Sequence, residues 1–201
     1  MLIGICTTAC PARDGSMRIR FTRRQIIGTA LALPLGMAVA DGVGAQGVQR
    51  GPKPVAIFIP AAEVDAPIET TIISDGRMQN PTGPFVVGWY RESGRLAEAG
   101  NIVMAGHLDY WGVPRAVFFH LGALDEGDEI SLLGDDGNLY DYEIEWVRKI
   151  ETGSEGHQAI LDVITVTEEE RLTLITCGGD FNRDTLEYES RTVARARPKT
   201  P

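Results

Sequence analysis

"LYDYEIEWVRKI", residues 139–150, alternates Leu139, Asp141, Glu143 and Glu145 against Tyr140, Tyr142, Ile144 and Trp146. Strand side chains leave on opposite faces at every step, so this period of two predicts one long strand with a buried face. Just before it, "DDGN" (135–138) reads as a tight turn and "DEISLLG" (128–134) as the strand on the other side of that turn. Just after it, residues 150–170 form a long connection with a helical turn expected near "HQAILDVI" (157–164). "RLTLITC" (171–177) then reads as a strand ending on Cys177, followed by Gly178 and Gly179, and "LEYESRTVARA" (186–196) as the last strand. Toward the N-terminus, "NIVMAGH" (101–107) is a strand running into Gly106 and His107. "VAIFIP" (55–60) and Ile68–Ile73 are two more, the second ended by a turn at Ser74-Asp75-Gly76. A short apolar piece follows in "NPTGPFVVGWY", and one helical turn is expected within "VPRAVFFHLGAL" (113–124). About eight short strands with little helix predict an all-β barrel or sandwich.

Of the 201 residues, 43% are hydrophobic and 23% charged, which suits one globular domain with additions. The additions are at the N-terminus. "MRIRFTRRQIIGTALALPLGMAVADGVGA" (17–45) runs from basic residues to an apolar stretch to small residues, the plan of a secretory signal. The pair Arg23-Arg24 resembles a twin-arginine export signal. The expected division is a leader at 1–45, with its first 16 residues read as a misassigned start, a Gly- and Pro-rich linker at 46–54, a domain at 55–197 and a tail at 198–201. The leader is either cut after Ala45 or kept as an anchor, and both place the body outside the cytoplasm. The leader holds five arginines and two acids, leaving 14 basic and 26 acidic residues in the body, a net charge of −12. That excludes a nucleic-acid partner, whose phosphates demand a basic footprint.

With the leader removed, Cys177 is the only thiol, and a leftover thiol in an oxidising compartment pairs between chains or reacts. It is expected at a strand end with the glycines clearing space beside it. The alternative is a small buried hydrophobe. His107, at the end of another strand, is the side chain that can exchange a proton with it near neutral pH. Arg191, Arg195 and Arg197 share one strand face. For Arg195 and Arg197 a solvated edge is the expected role, whereas Arg191, nearest the strand start, can hold an oxyanion or a substrate carbonyl.

"NIVMAGH", "GDEISLL", "YDYEIEWVRKI", "LTLITCGG" and "SRTVARA", in this order, resemble the sortases, bacterial cysteine transpeptidases of the cell envelope. "TLITC" (173–177) agrees with their T-L-x-T-C signature at every fixed position, and the resemblance spans about 54–197. "GRMQNP", "VGWY", "AGHLD" and "AVFFHL" look most like class F, with class D or E as runner-up. Many class F members carry another residue where Arg191 stands, so that arginine follows the general family pattern.

The resemblance implies an all-β fold, an eight-stranded sortase-type β-barrel with short helices in its connections. It implies His107, Cys177 and Arg191 as catalytic residues, and Thr176 and Gly178 at the site. The 150–170 connection would then line a substrate groove, with Ile160, Leu161 and Val163 supplying an apolar wall. The implied substrate is the C-terminal sorting-signal peptide of an exported protein, similar to Leu-Pro-x-Thr-Gly and cleaved between Thr and Gly. The acyl group would pass through a thioacyl-enzyme to an amine acceptor, a peptidoglycan precursor or a pilin-type lysine. No cofactor and no metal are expected, since nothing near Asp109 or in "GDDGN" has dense ligand spacing. Other cysteine enzymes fit less well: the Ser-His-Gly-Cys core of L,D-transpeptidases is absent, and papain-like peptidases place Cys before His. A hydrolytic peptidase, or a sortase-like barrel kept for binding, is the remaining alternative.

Overall fold

The computed structural model describes residues 50–184 and 187–200. The expected leader and residues 46–49 of the expected linker lie outside them. Ten strands run in chain order: β1 (Pro54–Ile59), β2 (Val64–Thr71), β3 (Ile73–Ser74), β4 (Arg77–Met78), β5 (Val87–Tyr90), β6 (Asn101–Ala105), β7 (Glu129–Gly134), β8 (Leu139–Glu151), β9 (Arg171–Asn182) and β10 (Glu187–Pro198). One α-helix, α1 (Ser154–Ile164), joins β8 to β9. Eight strands close a barrel in the order β1-β2-β5-β6-β9-β10-β8-β7, while β3 and β4 form a separate hairpin. Closure leaves the barrel sheet no edge to pair with another chain.

The tight elements follow from local chemistry. Asp75 and Gly76 both take positive φ, 53° and 70°, between β3 and β4. That is the two-residue hairpin turn whose twist matches its strands, and an Asp-Gly pair is suited to it. The expected strand at 68–73 is therefore divided: β2 starts earlier, at Val64, and Ile73 belongs to the hairpin. The helical turn expected in 157–164 is an eleven-residue helix. The one expected in 113–124 is a single 3-10 turn at Leu121–Ala123.

The barrel interior is filled by Ile57, Trp89, Met104, Phe118, Leu132 and Leu174 among others, all at or below 1% exposure. Trp89 satisfies its indole N–H on the Gly94 carbonyl at 3.0 Å, as a buried indole must. A second apolar cluster lies on the other face of the same sheet. Val103, Ala105, Ile175 and Val193 form it with Met78 and Tyr90, and Trp146, Ile150, Val163 and Ile164 pack against it.

β8 departs from its sequence pattern at one residue. Ala196 pairs with Ile144, but its neighbour Arg195 pairs with Trp146, so Glu145 is an extra residue in β8. A bulge of one residue exchanges the two faces beyond it. Tyr142 and Ile144 accordingly point into the barrel, whereas Trp146 and Ile150 join the outer cluster. The alternation from Tyr140 to Trp146 predicts one shared face, and the bulge corrects this for Trp146.

Candidate active site

β6, β9 and β10 are neighbours, and their registers align three residues. Cys177 pairs with Arg191 across β9 and β10. Ala105 pairs with Ile175 across β6 and β9, and the ladder runs one step further, with Gly106 N–H donating to the Ile175 carbonyl at 3.1 Å. His107 comes two residues after Ala105, past the end of β6, as Cys177 comes two residues after Ile175. The row below consists of Ala105, Ile175 and Val193, all in the outer cluster. Alternation therefore puts Cys177 and Arg191 together on the outer face at one end of the barrel, and His107, just past the end of β6, follows at that end.

Each member has a definite local support. Gly106 is required by packing: a Cβ there would lie 2.4–2.8 Å from the Phe118 ring. His107 follows it, half-buried, with its carbonyl accepting from Phe118 N–H at 2.9 Å. Its Nε2 is 3.0 Å from the Pro81 carbonyl, which can only accept, so Nε2 carries a hydrogen in this contact. The Tyr110 ring meets the imidazole edge-on at 5.0 Å. Arg191 is buried at 3% exposure, and its Nη1 donates to the Tyr188 and Ser190 carbonyls at 3.1 and 2.9 Å. A buried guanidinium with such fixed donors is a preorganised positive charge.

Cys177 differs from expectation in two respects. It does not end a strand, because β9 continues to Asn182, and it is buried at 2% exposure. The glycines after it make a bulge instead of a terminus. Between the pairs Gly178–Ser190 and Phe181–Tyr188, two residues of β9 oppose one of β10, and Gly179 takes φ +75°. Cys177 is disulfide-bonded in this structure. The chain's other cysteines, Cys6 and Cys10, lie outside the described residues, and nucleophilic use of Cys177 requires its reduced form.

The remaining expected site residues divide between the faces. Thr176 and Gly178 point inward, on the opposite side of the strand from Cys177. The Thr176 hydroxyl is buried without a hydrogen-bond partner among the described residues. Gly178 makes room for Thr192 and Ser190, whose oxygens a Cβ would meet at 2.8 and 3.1 Å. Val163 packs on the outer cluster beneath the row, Ile160 is buried, and Leu161 is half-buried without belonging to that cluster.

Four residues that matter here were not singled out by the sequence for these roles. Asn101 Nδ2 donates to the Val163 and Thr165 carbonyls at 2.9 and 3.1 Å, and its Oδ1 accepts from Thr173 Oγ1 at 2.7 Å. Arg195 donates through Nη2 to the same Val163 carbonyl and lies over the Trp146 ring at 5.5 Å. These bonds satisfy carbonyls at the C-terminal end of α1 and anchor that end on the outer face, two rows along the sheet from Cys177 and Arg191. Arg195 is thus a half-buried clamp, which corrects the expected solvated edge. Arg197 keeps that edge role, exposed and paired with Glu143. The signal for Arg195 was a cation set among Val193, Ala194 and Ala196, a strand with no wet face. Tyr188 donates its phenol O–H to Asp109, which therefore faces a hydroxyl. Burial and that carboxylate push the phenol well above its ordinary range. Among the described residues, no group of three or more His, Cys, Asp or Glu side chains is arranged to hold a metal ion.

Residues 57–199 match the family model described as "Sortase domain". The chain belongs to the sortase family. Sortases are cysteine transpeptidases, and Cys177 is the one cysteine within the matched residues. Several solved sortases share the fold. The sortase C1 of GBS pilus island 1 is 18% identical with TM-score 0.53, covering 73% of this chain and 65% of that one. A lid mutant of sortase A from Corynebacterium diphtheriae is 18% identical with TM-score 0.56, covering 77% and 74%. A sortase D5 transpeptidase of Clostridium perfringens is 20% identical with TM-score 0.51, covering 76% and 83%. This sortase thus spans about two thirds of the first of these chains. No curated protein sequence matches it. Sortases act on sorting signals and amine acceptors and work outside the cytoplasm, at the cell envelope. No helix among the described residues of this one is long and apolar enough to cross a membrane.

Proposed function

We propose that this sortase cleaves a Leu-Pro-x-Thr-Gly-like sorting signal of exported proteins between Thr and Gly and transfers the acyl group to an amine. What carries this reading is the pairing of Cys177 with Arg191 across β9 and β10, with His107 two residues past the end of β6 on the other side of β9. The Cys177 thiolate attacks the threonine carbonyl. The Arg191 guanidinium and a backbone N–H beside the nucleophile hold the tetrahedral oxyanion. His107, as imidazolium, protonates the leaving glycine amine, and a thioacyl-enzyme remains. An acceptor amine, from a peptidoglycan precursor or a pilin-type lysine, gives its proton to His107 and resolves the thioester. Ile160, Leu161 and Val163 wall the apolar side of the peptide groove, and Thr176 and Gly178 line the nucleophile through their backbone. The catalytic domain covers 55–197 and the tail 198–201. The leader exports it, with a retained leader acting as a membrane tether. Class F is the subgroup its motifs fit best.

The test uses the full chain, reduced, with quenched-fluorophore peptides built on Leu-Pro-x-Thr-Gly, with and without a glycine-type amine, and products read by mass spectrometry. Cleavage after Thr with the amine joined on, absent in Cys177→Ala, is the expected result. Cleavage without joining would make the protein a hydrolase. Absence of cleavage across the library would overturn the substrate assignment.

A further inference from the structure

Three segments of the chain meet around the catalytic row, and Tyr188 touches all of them. Its hydroxyl donates to Asp109 Oδ2, two residues beyond His107. Its carbonyl accepts from Arg191 Nη1 at 3.1 Å and from Thr152 Oγ1 at 3.2 Å. Thr152 follows the last residue of β8 and leads into α1. The Tyr188 ring is held edge-on by Phe181 at 5.2 Å, across the bulge that Gly179 opens. The His107 segment needs such a tie. β6 ends at Ala105, so His107 stands beyond the strand itself, and its segment turns back on itself through Ala116 N–H to the Leu108 carbonyl at 3.0 Å. The Tyr188–Asp109 bond crosses from this segment to the strand carrying Arg191. A hydroxyl donating to a carboxylate is a charge-assisted bond, stronger and shorter than a neutral one.

We propose that Tyr188, acting through Asp109, is a positioning residue that sets the separation of His107 and Arg191 across Cys177. This rests on the transpeptidase reading above. Neither residue touches substrate. Together they hold the proton donor on one side of the scissile carbonyl and the oxyanion's cation on the other, and small misplacements of such groups cost large factors in rate.

The experiment compares the full reduced chain with Tyr188→Phe, Asp109→Asn, the double variant and Asp109→Glu. Each single variant is expected to lower kcat about tenfold with KM held within about twofold. The double variant is expected to be no worse than either single, because one bond is broken only once. Asp109→Glu, which keeps the carboxylate, is expected to recover most of kcat. Melting temperatures should stay close to wild type. A multiplied loss in the double variant, a loss confined to KM, or a lowered melting temperature with normal kcat would each overturn the proposal. If the wild type turns over no peptide, the transpeptidase reading fails separately. The clasp is then judged by the rate at which iodoacetamide alkylates Cys177: a severalfold change in both single variants supports it, and an unchanged rate refutes it.

Discussion

Arg191 and Arg195 are four residues apart on the same face of β10, and each sits opposite a small β9 residue, Cys177 and Thr173. Their surroundings give them different work. Arg195 faces Trp146 across β8 and donates to the Val163 carbonyl, so its charge holds the end of α1. Burial draws its guanidinium below its ordinary range, although it stays protonated. Arg191 faces Ile150 and donates to carbonyls of its own strand, Tyr188 and Ser190, which fixes its charge beside Cys177. One row is architectural, and the next but one is the row proposed to be chemical. Residue type and strand face are the same in both, and the neighbours across the sheet make the difference.

The largest effect that would break this contrast is at the thiol. Cys177→Ala should abolish turnover while melting at the temperature of the reduced wild type, and the wild type should be active only after reduction. Peptide cleavage with and without dithiothreitol checks both. Arg191→Ala comes next, with kcat falling on the order of 10²- to 10³-fold, the scale of one lost oxyanion donor. Arg191→Lys should restore little, since a single ammonium cannot reproduce the planar fork. If Arg191→Ala instead raised only KM, Arg191 would serve binding and not the oxyanion, and the contrast with Arg195 would fail.

Arg195→Ala should act on stability and on the groove. Losing its bond to the α1 carbonyl is expected to cost about 1–3 kcal/mol, read by denaturant unfolding, and to raise KM by loosening α1 while leaving kcat near wild type. Gly179→Ala is the smallest expected change. It places a Cβ at φ +75° and 2.8 Å from Ser190 Oγ, for a loss of about 1 kcal/mol. The bulge at Gly179 shapes the Tyr188 side of the site, so a modest fall in kcat should accompany the stability loss.

Much of this was legible in the chain. The alternation of residues 139–150 foretold β8, the β-branched run before Cys177 foretold β9, the strand count foretold a barrel or a sandwich, and the sortase resemblance chose the barrel. His107, Cys177 and Arg191 stood out by residue type at or near element ends. Arg195 did not, because a cation on an alternating strand reads as solvated unless the element packed over it is known. That element, α1, lies between β8 and β9, and its length was underestimated because Thr152 and Gly153 obscure where it starts. Trp146 was read onto the wrong face for a similar reason. A single unpaired residue, Glu145, reverses the faces, and the unpairing is a property of β8 together with β10.

The sequence by itself determined the kinds of element, the apolar period of each strand and the chemical groups available, because propensity and periodicity are local properties of the chain. The tertiary structure decided which groups meet. Register belongs to pairs of strands far apart in sequence: β6 must lie parallel to β9, and β10 antiparallel to it, before Cys177 meets Arg191 with His107 just past the end of the neighbouring strand. A shift of one residue in either pairing would move a member of that row to the opposite face of the sheet.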